Sequence, residues 1–310
     1  MRTTRATMTD YTWRTATPDD SPAIMQLERA CQLLDGRYAI PLSFNYPLTL
    51  TNAVESRCAL DGDRIIAAAW LTRQGDDLWL RSFVHPEHRG RGIRKTLLRW
   101  GTENAAKHGS TTLYMQTESS TPEAEALYRL HGFNRTFAEE VMRRNLKQPL
   151  PTAELAKDIR LVSWSDETAP EFYAVFVDAF SERPGYRPTE MTDWIDEMSE
   201  GEKFRPDLSL LAVNEANEGI GYVLSELDTV LYTRDQRVAW ISQVGVRGAW
   251  RGKNIATALM LEVMQGLARE RQDITLLHVN VNNPSAIRVY MKLGFDVVGR
   301  RARYAVQLQG

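Results

Sequence analysis

The feature that most constrains this chain is an internal repeat at a fixed offset. The segment VHPEHRGRGIRKTLLRW, residues 84–100, has a counterpart in VRGAWRGKNIATALMLE, residues 246–262. Arg89 and Arg251 hold equivalent places in the two segments, 162 positions apart (251 − 89 = 162). The same offset relates three further pairs: Tyr128 with Tyr290, Gly132 with Gly294, and Phe133 with Phe295. Landmarks that keep one register over this length predict two homologous structural units.

The boundary between the units is predicted within KQPLPTAELAKD, residues 147–158, where two prolines and several polar residues separate two strand-like segments. We therefore expect a first domain over residues 10–147 and a second over residues 158–310. Each half has the pattern of a short strand, helical segments, antiparallel strands, a basic turn before a long helix, a further strand, a shorter helix and closing strands. Helices and strands mixed around one sheet predict an α+β fold.

Apolar residues at helical spacing mark the expected core of the second unit. One stripe follows the long helix after the basic turn: Ile255, Leu259, Val263 and Leu267. Phe172, Phe176 and Phe180 recur every four residues in the preceding helical segment. Such spacing is far more typical of core packing than of a ligand site. We predict that both groups are buried.

Composition excludes several classes of protein. Of the 310 residues, 43% are hydrophobic and 25% are charged, as in ordinary globular chains, and the net charge of −2 gives no reason to expect nucleic acid. No stretch approaches the roughly 18 apolar residues of a membrane span, and the polar first ten residues do not resemble a signal peptide. The five histidines are scattered, with His85 and His88 in a predicted surface turn, so no metal is expected. The two cysteines suit reduced thiols in a cytoplasmic protein.

A basic turn before a helix is a candidate phosphate site in each unit. The start of a helix offers free N–H groups and the positive end of the helix dipole, and arginine or lysine in the turn adds charge-assisted bonds. Taken alone, such a turn is more often a solvated helix cap. The candidate residues in the second unit are Val244, Gly245, Val246, Arg251, Gly252, Lys253, Asn254, Ile255 and Ala256. Those in the first unit are Val84, Arg89, Gly90, Arg91, Gly92, Ile93 and Arg94.

The strings VGVRGAWRGKNIATAL and VNVNNPSAIRVYMKLGF resemble the acetyl-CoA-binding signature of the GNAT superfamily and the helix that follows it. The signature is usually written Q/R-x-x-G-x-G/A. Arg251 and Ala256 fit its first and last positions, and Asn254 stands where glycine is usual. Because asparagine tolerates left-handed backbone angles better than most residues, we expect the turn to close.

The first unit departs from the signature in another way. Arg89 and Gly92 fit, but Arg94 replaces the final small residue. Its side chain either crowds a pyrophosphate or clamps it. We expect this unit to bind acyl-CoA weakly or to retain the site only structurally.

The resemblance implies two tandem GNAT folds, each a mixed, mostly antiparallel twisted sheet flanked by helices. It also implies acetyl-CoA as the acyl donor and direct attack by a primary amine on the thioester. Tyr290 matches the family's general acid, since a tyrosine with a pKa of about 10 donates a proton to a thiolate when it lies beside the sulfur. Asn283, seven residues earlier, belongs to the same expected cofactor site. Tyr128 has the same placement in the first unit, so the tyrosine does not indicate which unit is catalytic.

The strand before each turn favours the second unit as the catalyst. Gln243 there has Arg81 as its counterpart in the first unit (243 − 162 = 81). A cation beside the acceptor site would repel an ammonium substrate, unless Arg81 points to solvent. Glu226 and Asp228 are candidates for the general base, through a bridging water. Carboxylates at a strand edge are more often simply solvated.

The two-unit layout is similar to that of mycothiol synthase, a tandem GNAT enzyme whose second domain is the active one. The acidic substrate contacts expected from that resemblance would fall near Gly185 and Trp240, and the expected lysine near Glu226, where this chain has other residues. We therefore predict an N-acetyltransferase for a different small-molecule primary amine. Acetylation of an amino-sugar conjugate, as by mycothiol synthase, is the alternative.

Aromatic residues of the second unit either line an acceptor pocket or pack in the core. They are Phe180, Tyr186, Trp194, Phe204, Tyr222 and Trp240. Because the departures at Asn254 and Arg94 weaken the signature, a non-catalytic acyl-CoA-binding regulatory module is the competing class. The paired units are expected to satisfy within one chain the interface that single-domain relatives use to dimerise, which predicts a monomer.

Overall fold

A computed structural model describes residues 11–35, 50–153, 155–182, 186–187, 189–200, 202–227 and 236–308. The strands are β1 Thr12–Arg14, β2 Glu55–Asp61, β3 Arg64–Gln74, β4 Asp77–Val84, β5 Thr112–Thr117, β6 Asn134–Asn145, β7 Arg160–Ser163, β8 Leu210–Val213, β9 Gly219–Leu227, β10 Val238–Val246, β11 Ile274–Asn280 and β12 Asp296–Gln307. The helices are α1 Ser21–Asp35, α2 Ile93–Lys107, α3 Pro122–Leu130, α4 Ala169–Phe180, α5 Met191–Ser199, α6 Ile255–Arg269 and α7 Pro284–Lys292. No helix in these described ranges is long and apolar enough to cross a membrane.

The chain forms two compact units that are not simply its two halves. Unit 1 contains the residues up to Glu140 together with those from Gly299 onward, and unit 2 is Val141–Val298. In unit 1 the strand order is β1-β2-β3-β4-β5-β12 followed by the first part of β6. In unit 2 the second part of β6 is followed by β11-β10-β9-β8-β7. Each sheet is mixed and mostly antiparallel, as predicted.

The apolar patterns of the sequence correspond to buried faces. Every residue of the predicted stripe on α6 is at most 2% exposed, and Phe172, Phe176 and Phe180 on α4 are at most 9% exposed. Burying a side chain of this size stabilises the fold by about 1.5–3 kcal/mol. Both cysteines, Cys31 and Cys58, are buried free thiols.

In each unit, one pair of parallel strands separates before the strands end. β4 pairs with β5 only from Leu78↔Leu113 to Leu80↔Met115. In the same way, β10 pairs with β11 only from Val238↔Ile274 to Trp240↔Leu276. A bulge interrupts β10 between Ile241 and Gln243. Beyond these points β4 and β10 keep an antiparallel partner on one side only, which leaves a row of backbone N–H and C=O groups open on the other.

The last strand of the chain completes the sheet of unit 1. Residues Ala302–Gln307 of β12 pair antiparallel with Thr112–Thr117 of β5. Tyr304 is fully buried, lies with its ring centroid 4.9 Å from that of Tyr128, and shares a 2.7 Å hydrogen bond with the Ser120 hydroxyl. β6 and β12 are repeat counterparts, since 134 + 162 = 296, and β12 takes the place next to β5.

Tyr304→Ala is expected to destabilise unit 1 by about 3–5 kcal/mol, because it empties a fully buried aromatic site. Its repeat counterpart, Met142 (304 − 162 = 142), is also fully buried but packs in the core around α6. Hydrogen exchange should therefore accelerate in β5 for Tyr304→Ala and in α6 for Met142→Ala. The reverse pattern would contradict the assignment of β12 to unit 1.

Candidate functional site

Each unit has a turn with two left-handed residues immediately before a long helix. In unit 2, Gly252 has φ 79° and Asn254, the N-cap of α6, has φ 61°. In unit 1, Gly90 (φ 76°) and Gly92 (φ 83°) hold the same positions before α2. The predicted left-handed closure at Asn254 is confirmed. Each turn therefore lies at helix N–H groups that have no acceptor within the helix and at the positive end of the helix dipole.

The side chain of Arg251 holds the turn of unit 2 rather than extending away from it. Its Nε donates to the Val246 carbonyl at 3.3 Å. Its terminal nitrogens donate to the Ala179 carbonyl at 3.1 Å and to the Glu182 carboxylate at 2.9 Å. The turn is thus tied to the end of β10 and to the end of α4.

Arg89 makes equivalent contacts in unit 1. Its Nε donates to the Val84 carbonyl at 3.2 Å, and its terminal nitrogens donate to the two oxygens of Asp35 at 2.5 and 2.6 Å. The hydrogen bonds to Asp35 raise the pKa of Arg89 above its ordinary value. In both units the arginine braces the turn through contacts with other protein groups.

The other basic residues of the turns also contact protein groups. Lys253 Nζ lies 4.4 Å from the centroid of the Trp250 ring, and Arg91 donates to the Tyr11 hydroxyl at 3.2 Å. The helix-opening residues Ile93 and Ile255 are buried, whereas Ala256 follows in the first turn of α6. Apart from its two chain neighbours, no residue that the structure describes lies within 4 Å of where a Cβ of Gly252 would be.

Gly245 on β10 is required by packing. A Cβ there would lie 2.6 Å from the Tyr222 ring. The flanking Val244 and Val246 pack against the buried cluster around α6. Gln243, the predicted marker of the catalytic unit, accepts a hydrogen bond from the Tyr222 hydroxyl. These residues shape the strand beside the turn.

Tyr290 and Asn283 both lie on α7. Asn283 is the N-cap of this helix, and its side-chain oxygen accepts from the Ala286 N–H at 3.2 Å. Tyr290 is 9% exposed and belongs to the same buried cluster as Ile255 at the start of α6. Tyr290 and the first residue of α6 therefore belong to one buried cluster of unit 2.

Glu226 lies on β9 opposite Trp240, next to the point where β10 leaves β11. Since six residues of strand span about 20 Å, the turn after Val246 is at the other end of β10. Asp228 and Gly185, which the sequence analysis also singles out, lie outside the described residues. Glu226 helps to line a cavity of about 370 Å³ whose other residues are Glu197, Met198, Glu200, Glu202, Lys203 and Phe204.

The aromatic residues proposed for an acceptor pocket mostly pack together. Phe180, Trp194 and Tyr222 are buried in one cluster, against which Tyr186 and Phe204 are partly buried. Trp240 instead lies with its ring centroid 5.0 Å from that of His278. Most of these aromatic residues therefore pack in the core, which is the commoner of the two alternatives.

Unit 1 contains a cavity of about 550 Å³ between the separated ends of β4 and β5. Its lining includes Tyr128, Arg94 and the turn at Gly90 and Gly92. Arg94 Nη1 lies 3.4 Å from the Tyr128 hydroxyl. This arginine, which is expected to crowd or clamp a phosphate, contacts the tyrosine of α3.

Glu118 is a cavity residue that the sequence analysis did not single out. It directly follows β5, where its repeat counterpart in unit 2 is Asn280 (118 + 162 = 280). Burial raises the pKa of the Glu118 carboxyl above its ordinary value, although the Gln116 amide and the nearby Arg301 and Arg81 act in the opposite direction. The sequence signal that could have identified Glu118 was a charged residue directly after a predicted strand.

His85 and His88 are buried, at 8% and 7% exposure, and the prediction of a surface turn for them is wrong. Together with Glu87 they form a compact group of potential metal ligands. Arg64 lies 2.7 Å from His85 Nε2, and burial is the main cause that lowers the pKa of His85. The neutral His85 ring accepts a hydrogen bond from the Arg64 guanidinium. The two histidines and Glu87 are therefore part of a hydrogen-bond network beside the turn of unit 1.

The chain is similar to known proteins over both units. The sequence profile of the acetyltransferase (GNAT) family matches residues 22–133 and 161–295. A mycothiol acetyltransferase of Nocardioides sp. is 29% identical over 283 residues, covering 88% of this chain and 92% of the relative. Another, from Thermobispora bispora, is 28% identical over 297 residues, covering 92% and 97%.

Solved structures with a similar fold cover both units of the chain. A GCN5-related N-acetyltransferase from Sphaerobacter thermophilus has a TM-score of 0.73 and 25% identity, covering 98% of both chains. A tandem GNAT protein from the clavulanic acid biosynthesis pathway has a TM-score of 0.69 over 97% of this chain and 99% of that one, and at 19% identity it supports the fold alone.

Asn254→Ala is expected to lower the free energy of unfolding by about 1 kcal/mol, because alanine pays the steric cost of the left-handed conformation. Asn254→Gly should show no loss, since glycine adopts this region freely. Urea unfolding of the two variants and the wild type measures both values. Equal losses for Asn254→Ala and Asn254→Gly would mean that backbone conformation is not what asparagine supplies.

Proposed function

This chain belongs to the GNAT family of acetyltransferases, and we propose that unit 2 transfers an acetyl group from acetyl-CoA to the primary amine of a small molecule. The observation that carries this proposal is the left-handed turn at Gly252 and Asn254, which leads into α6, where Ile255 shares a buried cluster with Tyr290. The family as a whole uses acetyl-CoA.

The geometry of unit 2 fits such a donor at two places. The N–H groups at the start of α6 suit a pyrophosphate, because the helix dipole is positive there and Gly252 leaves space for close approach. The open edge of β10 beyond Trp240 suits an amide-containing pantetheine arm, which can pair with it as an added strand does. Acetyl-CoA supplies the activated acetyl thioester.

The reaction requires a neutral amine and a proton for the departing sulfur. In our proposal the Tyr290 hydroxyl gives its proton to the thiolate. Glu226 takes the proton of the amine through water, since it lies across from Trp240, next to the bulge of β10. Asn283 holds the start of α7 in place and thereby orients Tyr290.

The relatives bear on the acceptor. Those described above are mycothiol acetyltransferases, which supports an amine on a sugar conjugate as the acceptor class within the small-molecule reading. The cavity beside Glu226 carries three further glutamates and one lysine. Such an excess of negative charge attracts an acceptor that approaches as an ammonium ion.

Tyr290→Phe is expected to lower kcat for this acceptor about 100-fold, because only the proton donor is removed. The dissociation constant of acetyl-CoA should stay within about twofold, since the N–H groups of α6 are unaltered. Release of free thiol from acetyl-CoA measures the first quantity and calorimetry the second.

The matched control is Tyr173→Phe in the same unit, whose hydroxyl donates to the Thr189 carbonyl at 2.6 Å. It should leave kcat unchanged. An unaltered kcat in Tyr290→Phe, with every acceptor that the wild type uses, would remove the tyrosine from the mechanism.

An acceptor panel tests the substrate class. We expect glucosamine conjugates to be acetylated at least about tenfold more efficiently than a basic peptide, because the cavity at Glu226, about 370 Å³, is of the size that small molecules fill. Measured values of kcat/KM decide the ranking. Preference for the peptide would contradict the small-molecule assignment.

A further inference from the structure

The cavity of unit 1 contains charged groups that unit 2 does not repeat. We propose that unit 1 is a second acyl-transfer centre, in which Glu118 accepts the proton of an amino-acid acceptor and Tyr128 protonates the departing thiolate. This inference rests on the proposed function, because it uses the same acyl donor. It departs from the sequence analysis, which expects unit 1 to bind acyl-CoA weakly or only to retain the site.

The cavity has the parts that a donor site needs. The volume of about 550 Å³ is within the range of small-molecule sites. One wall is the free edge of β4 after Leu80, where pairing with β5 has ended. Another is the turn at Gly90 and Gly92, which leads into the fifteen-residue helix α2. The equivalent edge and turn of unit 2 carry the function proposed above.

Glu118 is held in position within the cavity wall. The Gln116 amide donates to the Glu118 carboxylate at 2.5 Å, and Arg303 donates to the Gln116 side-chain oxygen at 2.8 Å. This chain of bonds orients a carboxylate whose proton affinity is increased by burial. A base with a pKa nearer to neutrality accepts a proton from an amine more effectively.

Tyr128 has a cation beside its hydroxyl. Arg94 Nη1 lies 3.4 Å from the phenol oxygen, and its guanidinium carbon lies 6.0 Å from the ring centroid. The ring is 4% exposed and packs against Tyr304, which fixes its direction. A guanidinium in this place stabilises the negative charge that remains on the oxygen when the proton leaves. The equivalent of Arg94 in unit 2 is Ala256, so this pair is particular to unit 1.

The step balances in atoms and charge. The amine nitrogen forms a bond to the acyl carbon while the bond between that carbon and sulfur breaks. The amine proton passes to Glu118, and the sulfur receives the proton of Tyr128. Solvent then returns a proton from Glu118 to Tyr128, so that an amide and a free thiol are the only products.

The charges of the cavity indicate the acceptor class. Arg81 lines the cavity and is close enough to Glu118 to influence its pKa. An amino acid matches this pair, with its amine at Glu118 and its carboxylate at Arg81. The lining of seven described residues at Glu226 in unit 2 has four glutamates and one lysine, without an arginine that could hold a carboxylate, and so suits a different acceptor.

The test is made in the full chain carrying Tyr290→Phe, which lowers the activity of the centre proposed for unit 2 about 100-fold. Thiol release from acetyl-CoA is measured with the common amino acids as acceptors. We expect turnover with at least one of them, and we expect Glu118→Gln in this background to lower kcat/KM about 100-fold. The part of the decline of kcat/KM toward acidic pH that is due to Glu118 should also disappear, because glutamine does not titrate, whereas the part due to protonation of the acceptor amine remains.

The matched control is Glu103→Gln, an exposed position on α2, which should leave both the rate and the pH profile unchanged. Hydrogen exchange in β5 that matches the parent chain verifies that unit 1 of Glu118→Gln is folded, and Glu118→Asp should keep more activity than Glu118→Gln. Absence of turnover in Tyr290→Phe with every amino acid overturns the proposal. An unchanged rate in Glu118→Gln overturns it equally.

Failure of the two proposals can be told apart. Loss of amino-sugar acetylation in Tyr128→Phe but not in Tyr290→Phe would refute catalysis by unit 2 and support catalysis by unit 1. Amino-acid turnover that Tyr128→Phe leaves unaltered would refute unit 1 as its source.

Discussion

The early separation of two parallel strands is the constraint on which the rest of this structure depends. A parallel pair whose hydrogen bonds continued to the strand ends would close the space between β4 and β5, or between β10 and β11. Because the pairing stops after three residues, each unit has a free strand edge that leads toward a helix N-terminus. Backbone groups on such an edge need partners, and an extended ligand with amides supplies them.

The two units keep this frame and differ in what they place around it. Arg89 and Arg251 brace their turns in the same way. Each donates to the backbone carbonyl at the end of the preceding strand, and each also donates to a carboxylate at, or just beyond, the end of the first long helix of its unit. By contrast, Arg94 and Glu118 of unit 1 correspond to Ala256 and Asn280. The bracing contacts are thus the same in both units, whereas the cavity residues differ. One scaffold with two acceptor preferences would require this combination.

Much of the candidate site follows from local sequence. The left-handed turn could be predicted at Asn254 because few residue types adopt those angles, and the α6 stripe because its period matches a helix. The burial of His85 and His88 could not be predicted from the sequence, because both lie in a short turn whose exposure depends on distant residues such as Tyr11 and Arg64. Glu118 was missed for a similar reason: its cavity is lined by segments from Glu28 to Tyr128.

The sequence by itself determined the repeat, the two basic turns and the membership of the GNAT family, because these depend on residue identities at fixed spacing. Only the tertiary structure decided that β12 pairs with β5 and that Arg94 meets Tyr128. β6 and β12 are repeat counterparts with similar patterns, so local propensity does not say which of them covers the edge of β5. That choice is made by non-local packing, in which Tyr304 fills a site against Tyr128 and Ser120 that lies far away in the chain.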